Sequence, residues 1–344
     1  MTDAVIPAAL APPNERTTVL VAIGLGILVL LLCLLSLMAG RASLSPAEVL
    51  GGLTGLGDEA AKLIVREVRL PRTLLGLIVG GTLGLTGAAL QGLLRNPLAE
   101  PALLGVSGSA SLGAVIAFYF GFAAVFPLAL PLGGMAGALV AVLLLYALAG
   151  QEASPLTLIL AGVAINSMAA ALTALALNLA PSPYAAVEIL FWLLGSLADR
   201  SFDQLRLILL PVLIGWLLLA GIGRSLDALS LGEDTARSLG INLAGLQRRI
   251  ILGTAFSVGA TTSVTGSVGF IGLVVPHLLR PLVGYRPGVL LWLSALGGAA
   301  LTLAADIVIR LISSGQELRL GVITALLGAP FFLWLVLRTR RSLP

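Results

Sequence analysis

The segment covering residues 69–108 constrains the fold more than any other part of the chain. It opens with RLPR and runs for about 22 residues without a charge, up to an Arg-Asn-Pro break at 95–97. A run of about 20 apolar residues can cross the roughly 30 Å hydrocarbon core of a bilayer as a helix. Gly76, Gly80 and Gly84 recur every fourth residue, so they share a helix face that another helix can approach closely. The segment therefore predicts a packed membrane protein with several spans.

Composition supports this prediction. The chain is 58% hydrophobic and 10% charged, whereas a soluble domain carries about 25% charged residues. Cys33 is the only cysteine and His277 the only histidine. We therefore expect no disulfide framework and no metal site. The basic balance fits residues that set membrane topology, and no nucleic-acid partner is needed to explain it.

The hydropathy pattern predicts an all-α, polytopic membrane protein with about ten spans in a single transmembrane domain, residues 19–338. Tails at 1–18 and 339–344 flank this domain. A shorter apolar piece, 185–197, is predicted as a helix at the outer interface, and the eighth span is short and broken by Pro276. The ten predicted spans are 19–39, 71–94, 103–122, 132–149, 155–179, 205–222, 250–267, 268–283, 289–309 and 320–337.

The basic residues predict the orientation. An even number of spans puts both termini on one side of the membrane. Arginines favour the cytoplasmic side, and the strongest such signal is the RTRR sequence at 338–341. We therefore predict a multi-pass membrane protein with both termini cytoplasmic.

The longest inner polar segment, 223–249, predicts a short amphipathic helix. Ser230 and Glu233 have the spacing of a capping box, and Glu233 and Arg237 are four residues apart, as in a helical ion pair. Gly240 is placed to end the helix. Such a helix is either an ordinary interfacial helix or a docking element for a cytoplasmic partner.

Five motifs occur in a fixed order across the chain. Together they resemble the FecCD-type permeases of bacterial ABC importers, which take up ferric siderophores, haem or cobalamin. The motifs are RLPR (69–72), LRNPLAEPALLGVS (94–107), LGEDTARSLGIN (231–242), GSVGFIGLVVPHLLR (266–280) and ADIVIR (305–310).

The resemblance implies a fold like that of the cobalamin importer permease, a type II ABC importer, working as a homodimer in the lipid bilayer of the bacterial inner membrane. It also implies two cytoplasmic ABC ATPase subunits and a periplasmic substrate-binding protein. The chain lacks the phosphate-binding G-x-x-x-x-G-K-[ST] loop. We therefore expect no enzyme activity, no catalytic residue and no cofactor in this chain, with ATP and Mg bound by the partner ATPase.

Three sets of site residues follow from the resemblance, and a fourth follows from polar residues at membrane depth. We call residues 231–240 the coupling segment, where the ATPase is expected to dock. Its predicted contact residues are Leu231, Gly232, Glu233, Ala236, Arg237, Leu239 and Gly240. The binding protein is expected at three arginines, whose alternative role is to anchor helix ends at the interface. These are Arg69, Arg72 and Arg310.

Two further sets concern the transport pathway. The inner gate is expected between spans two and three, where the alternative is a plain Asn-Pro turn. Its residues are Asn96, Pro97 and Leu98. Small hydroxyl residues line the start of span five in some relatives, but this chain has Pro155 and Leu156 there. Three polar or soft residues within span five either line the pathway or, for the polar ones, hydrogen-bond to another helix. These are Asn166, Ser167 and Met168.

The predicted function is the permease subunit of an ATP-driven importer for an iron chelate, either a ferric siderophore or haem. Cobalamin is the alternative substrate within the same family. An intramembrane enzyme or an ion-coupled secondary transporter would need paired catalytic or coupling groups at membrane depth. Asp306 is the one convincing acid inside a span, and no second acid accompanies it.

Overall fold

The computed structural model describes residues 15–126, 128–150, 153–312 and 318–340. Most of the two predicted tails, Arg341 included, lies outside this part. The described residues form helices and no strand, which confirms the predicted fold class. The α-helices are α1 Glu15–Met38, α2 Pro46–Thr54, α3 Glu59–Leu63, α4 Leu70–Leu93, α5 Val106–Tyr119, α6 Phe122–Val125, α7 Ala129–Ala149, α8 Pro155–Asn178, α9 Pro183–Leu193, α10 Phe202–Leu219, α11 Gly223–Leu229, α12 Glu233–Ser238, α13 Leu243–Thr265, α14 Ile271–Leu279, α15 Pro287–Ile312 and α16 Leu320–Arg340.

Each of the ten predicted spans corresponds to a helix. By length and composition, six apolar helices among the described residues could cross a membrane: α1, the continuous stretch Glu59–Leu93, α7, α8, α10 and α15. A π-helical turn, Ile64–Arg69, joins α3 to α4 within that stretch. The third, eighth and tenth spans are shorter apolar helices, Val106–Tyr119, Ile271–Val283 and Leu320–Leu335. The seventh is α13, and the predicted interfacial helix is α9.

Helix α4 lies at the centre of the bundle, and α15, α13 and α14 pack around it. Its glycine face is the contact with α15, as predicted. A Cβ at Gly80 would meet the carbonyl of Gly298, and one at Gly84 would meet the carbonyl of Ser294. The missing side chains therefore set the distance between these two helices. In contrast, α1 packs on α15 and leaves most of its own surface free for lipid.

The prediction that Pro276 breaks the eighth span is wrong, because α14 continues through this buried proline. A proline has no N–H for the carbonyl four residues earlier, here that of Gly272. Gln91 of α4 fills the gap, since its Nε2 donates to the Gly272 oxygen at 3.2 Å. Arg280 in turn donates to Gln91 Oε1. The non-helical backbone instead lies before α14, at 266–270, and Phe270 there has a positive φ of 66°.

Candidate functional site

The predicted site residues occupy the two ends of α4. The three arginines lie where this helix begins, and the predicted gate and the coupling segment lie where it ends. Since α4 has 24 residues, its ends are about 36 Å apart at 1.5 Å per residue. The two groups of residues are thus well placed to face opposite sides of a membrane.

Asp306 holds two of the three arginines. Its carboxylate is only 2% exposed and pairs with Arg72 at 2.8 Å and with Arg310 at 2.7 Å. The Arg72 pair is bidentate, because Nε and NH2 both donate to the carboxylate. Bidentate pairs of this kind are strong and geometrically specific. Asp306 therefore pairs with both arginines inside the protein, and its single negative charge balances one of their two positive charges.

Arg69 and Arg310 cap the carboxyl end of α1. Arg69 NH1 donates to the carbonyls of Leu37 and Met38, at 2.8 Å each. Arg310 NH1 donates to the Ser36 carbonyl at 2.8 Å, and NH2 donates to its hydroxyl. Cations are favourable at a helix carboxyl end, where carbonyls lack helical partners. We call Arg69, Arg72, Asp306 and Arg310 the arginine cluster.

The structure brings the three predicted arginines together, and it also shows that each has partners in its own chain. Arg69 is only 4% exposed as a whole residue. They nevertheless line a cavity of about 430 Å³ that is open to one end of the bundle, next to Arg41 and Asp199. An acidic group entering this cavity would meet a mainly positive wall.

At the other end, α4 finishes in a tight turn that we call the α4 turn, residues 95–99. Arg95 adopts a left-handed φ of 48°, and Asn96 N–H donates to the Gln91 carbonyl at 3.2 Å. This is the Schellman arrangement, which usually has glycine at the left-handed position. Asn96 Oδ1 then accepts from Leu98 N–H at 2.9 Å. The predicted Asn-Pro turn is confirmed, and its role as a gate stays a prediction.

The coupling segment forms the predicted short helix, α12, but the predicted capping box is wrong. Gly232 precedes the helix, and Ser230 Oγ donates to the Asp227 carbonyl instead. Ser230 cannot cap α12 because it ends α11, with helical backbone angles. The predicted pair of Glu233 with Arg237 is present at 3.8 Å.

The two faces of the coupling segment differ. Ala236 is fully buried, whereas Leu231 and Leu239 are 67% and 62% exposed. Gly240 has a φ of 80° just after the helix, as the predicted helix end requires. The segment thus rests on the bundle through Ala236 and presents two leucines on its free surface.

One contact joins the two predicted inner elements, and no local sequence pattern indicated it. Arg95 NH2 donates to Glu233 Oε1 at 2.9 Å, across a separation of 138 residues. Beside this pair lies a cavity of about 360 Å³, bordered by the ends of α4, α8, α12 and α13. The start of α8 is capped by Ser154, whose hydroxyl accepts from Thr157 N–H at 3.2 Å.

Glu100, just after the α4 turn, is a second residue that sequence reasoning missed. Burial raises the pKa of its carboxyl, and a hydrogen bond from the Phe270 backbone opposes that rise. Phe270 precedes α14, so this bond ties the turn to the non-helical backbone before α14. Glu100 therefore fixes the chain that follows the predicted gate.

The predicted lining residues of α8 are not equivalent. Asn166 is half-buried, whereas Ser167 and Met168 are exposed on the helix surface. Met168 lines an apolar cavity of about 610 Å³ together with residues of α5 and α7, such as Ile116 and Val140. Asn166 faces the bare backbone of Gly108 on α5, which suits helix packing.

The described residues contain no group of three or more His, Cys, Asp or Glu side chains placed to hold a metal ion. With its buried helices, apolar faces and charged ends, the protein has the architecture of a polytopic transport permease. The chain belongs to the FecCD transport family, which matches residues 28–338. It is a transmembrane permease subunit of an ABC importer.

Individual relatives agree with this assignment. The chain is 40% identical over 335 residues to the vitamin B12 import system permease protein BtuC of Salmonella paratyphi A, covering 96% of this chain and 99% of that one. The BtuC proteins of Salmonella newport and Salmonella typhi match with the same identity and coverage. A solved structure of a proposed metal-chelate type ABC transporter, in an inward-facing conformation, is 32% identical with a TM-score of 0.82, covering 92% of this chain and 98% of that chain.

Proposed function

We propose that this permease carries cobalamin or a closely related corrinoid into the cytoplasm. The observation that carries the proposal is its identity of 40%, over nearly the full length, to permeases named for vitamin B12 import. The iron chelate predicted from sequence has weaker support, since the metal-chelate type transporter is 32% identical. Cobalamin therefore replaces an iron chelate as the first candidate substrate.

The test is uptake by cells that lack their own cobalamin, siderophore and haem permeases. This chain is expressed with its neighbouring ATPase and binding protein, and the accumulation of labelled cyanocobalamin, ferric siderophore and haem is measured in parallel. We expect cobalamin to accumulate and the iron compounds not to. Accumulation of an iron chelate without cobalamin would restore the original prediction.

We propose that the coupling segment faces the cytoplasm and binds the ATPase. Its exposed leucines, Leu231 and Leu239, form an apolar surface on a short helix with charged neighbours. Apolar anchors within a charged rim are typical of protein interfaces. Two copies of the permease would bind two ATPase subunits, in the bacterial inner membrane.

At the opposite end, the cavity of the arginine cluster is proposed to receive acidic side chains of a periplasmic binding protein. Arg69, Arg72 and Arg310 supply its positive wall. Because each is also bonded within the chain, reversing their charges would disturb the fold as well as docking. Arg41 lines the same cavity and is exposed, whereas the three cluster arginines are largely buried, so Arg41 is used as the probe.

The experiment is to measure the rate at which the binding protein associates with Arg41→Glu. Charged contacts mainly speed encounter, and salt screens them with a Debye length of about 10 Å at 0.1 M. We expect slower association at low salt and a smaller effect at high salt. Arg206→Glu, on an exposed pair with Asp203, is the control outside the cavity. An equal effect of both variants would contradict docking at this cavity.

A further inference from the structure

We propose that the ion pair of Arg95 with Glu233 is the mechanical link between the coupling segment and the α4 turn. In this role the pair passes a movement of α12 to the residues that narrow the pathway. The inference rests on the proposed function, because these two elements have such roles only in an ATP-driven importer. Arg95 and Glu233 are then positioning residues, since neither needs to touch the substrate.

On the α12 side, two features favour the charged Glu233 side chain. It is the first residue of α12, where the helix dipole favours a negative charge. Its Oε2 lies 3.8 Å from Arg237, one turn along the same helix. The other carboxylate oxygen, Oε1, accepts a hydrogen bond from Arg95 NH2 at 2.9 Å.

On the α4 side, Arg95 occupies a backbone position that normally favours glycine. Arg95 has a φ of 48°, in the left-handed region where glycine is favoured and other residues are strained. Glycine would complete the same Schellman turn without that strain. A strained residue at this position is explained if its side chain makes a contact that glycine cannot make.

The pair is suited to transmission rather than to stability. The two side chains are 46% and 37% exposed, and exposed ion pairs contribute little to folding. A second route to α4 starts from α11, the helix that directly precedes the coupling segment, since the Leu226 side chain of α11 packs over Gly92 of α4. That contact is apolar and lies before the turn, so it does not hold the turn itself.

The experiment reads the position of the turn in the assembled complex. The permease, with Cys33→Ser and a cysteine probe introduced by Leu98→Cys, is reconstituted with its ATPase in lipid nanodiscs. The rate of thiol modification is compared without nucleotide and with a non-hydrolysable ATP analogue. The added variants are Arg95→Gly, Arg95→Glu and the exchange Arg95→Glu with Glu233→Arg.

In the parent, the ATP analogue changes the modification rate by a certain ratio. We expect this ratio to fall by about fivefold or more in Arg95→Gly and in Arg95→Glu, a usual size for coupling between sites. The exchange variant should recover most of the ratio. Arg95→Gly should keep the thermal midpoint of the parent, because it relieves strain and removes only an exposed pair. A matched exchange of Asp203 and Arg206, at the other end, should change nothing.

The contrary results are equally clear. A normal ratio in both Arg95→Gly and Arg95→Glu would overturn the link and assign the coupling to the Leu226 contact. If the exchange variant no longer co-purifies with the ATPase, its labelling ratio is not interpretable, because Glu233 is itself a predicted ATPase contact. The ratio measured for Arg95→Gly then decides whether the pair links the two elements. The absence of any nucleotide response in the parent would also overturn the link, because the α4 turn then does not move with the ATPase. Uptake of cyanocobalamin by the same parent tests the proposed function separately.

Discussion

Asp306 and Arg310 lie one turn apart on α15, and the arginine NH2 donates to Asp306 Oδ2 at 2.7 Å. The same carboxylate binds Arg72 of α4, 234 residues away in sequence. Arg310 also reaches the end of α1 through Ser36. One buried acid therefore ties three helices together at the end of the bundle that we propose faces the binding protein.

Asp306→Asn should destabilise the protein by about 3 kcal/mol or more, because breaking a buried ion pair leaves uncompensated charges. The measurement is thermal unfolding of the purified protein in detergent. Asp203→Asn breaks the exposed pair with Arg206 and should cost less than about 1 kcal/mol. Similar losses in both variants would contradict the structural role of Asp306.

Gly84→Ala should also destabilise the bundle, because its Cβ would collide with the Ser294 carbonyl on α15. Gly26 is a helical glycine on α1, and a Cβ added there would have no neighbouring atom within 4 Å. Gly26→Ala should therefore be neutral or stabilise by up to about 1 kcal/mol, the difference in helix propensity. Comparing the two unfolding midpoints tests whether the α4–α15 distance depends on bare glycines.

Gln91→Leu should cost about 1–3 kcal/mol, since it leaves the buried Gly272 carbonyl and Arg280 without their partner. Gln247 is the matched control, because it is also buried and its Nε2 has no hydrogen-bond partner among the described residues. Gln247→Leu should be neutral or stabilising. Unfolding of both variants in detergent gives the comparison, and equal losses would exclude a special role for Gln91.

What the sequence could predict was local. The length of α4 and its glycine face follow from spacing within one helix, and both are confirmed. The partners of Arg72 and Arg95 could not be found this way, because they lie 234 and 138 residues away. Nothing in the spacing of one chain segment indicates which distant acid will face it.

The two wrong predictions have local causes that only the fold reveals. Ser230 has the spacing of a capping residue, but the preceding helix already uses it. Pro276 normally breaks a helix, but Gln91 from another helix bonds the carbonyl that the proline leaves free. In both cases a neighbouring element changed the outcome of a sound local rule.

Leu239→Asp should release the ATPase and abolish uptake while the permease stays folded, because this leucine is 62% exposed. The check is co-purification of the ATPase with the variant. Leu56→Asp, at an 89% exposed leucine near the opposite end, should retain the ATPase. Ala236→Asp should instead impair folding, since Ala236 is fully buried. Normal ATPase binding and uptake in Leu239→Asp would place the docking surface elsewhere.

A cysteine at position 98 should cross-link two permease chains in at least one nucleotide state, if the α4 turn narrows a shared pathway at its inner end. Leu98 is half-buried in a single chain, and Cys33 is first replaced by serine to leave one reactive thiol. A disulfide requires Cα atoms within about 7 Å, so the bond reports close approach directly. Met168→Cys, on the exposed face of α8, tests in the same way whether this predicted lining residue comes close to its copy in the second permease chain. If position 98 forms no cross-link in any nucleotide state while the dimer is intact, the inner gate is not at the α4 turn, and the start of α8 becomes the next position to probe.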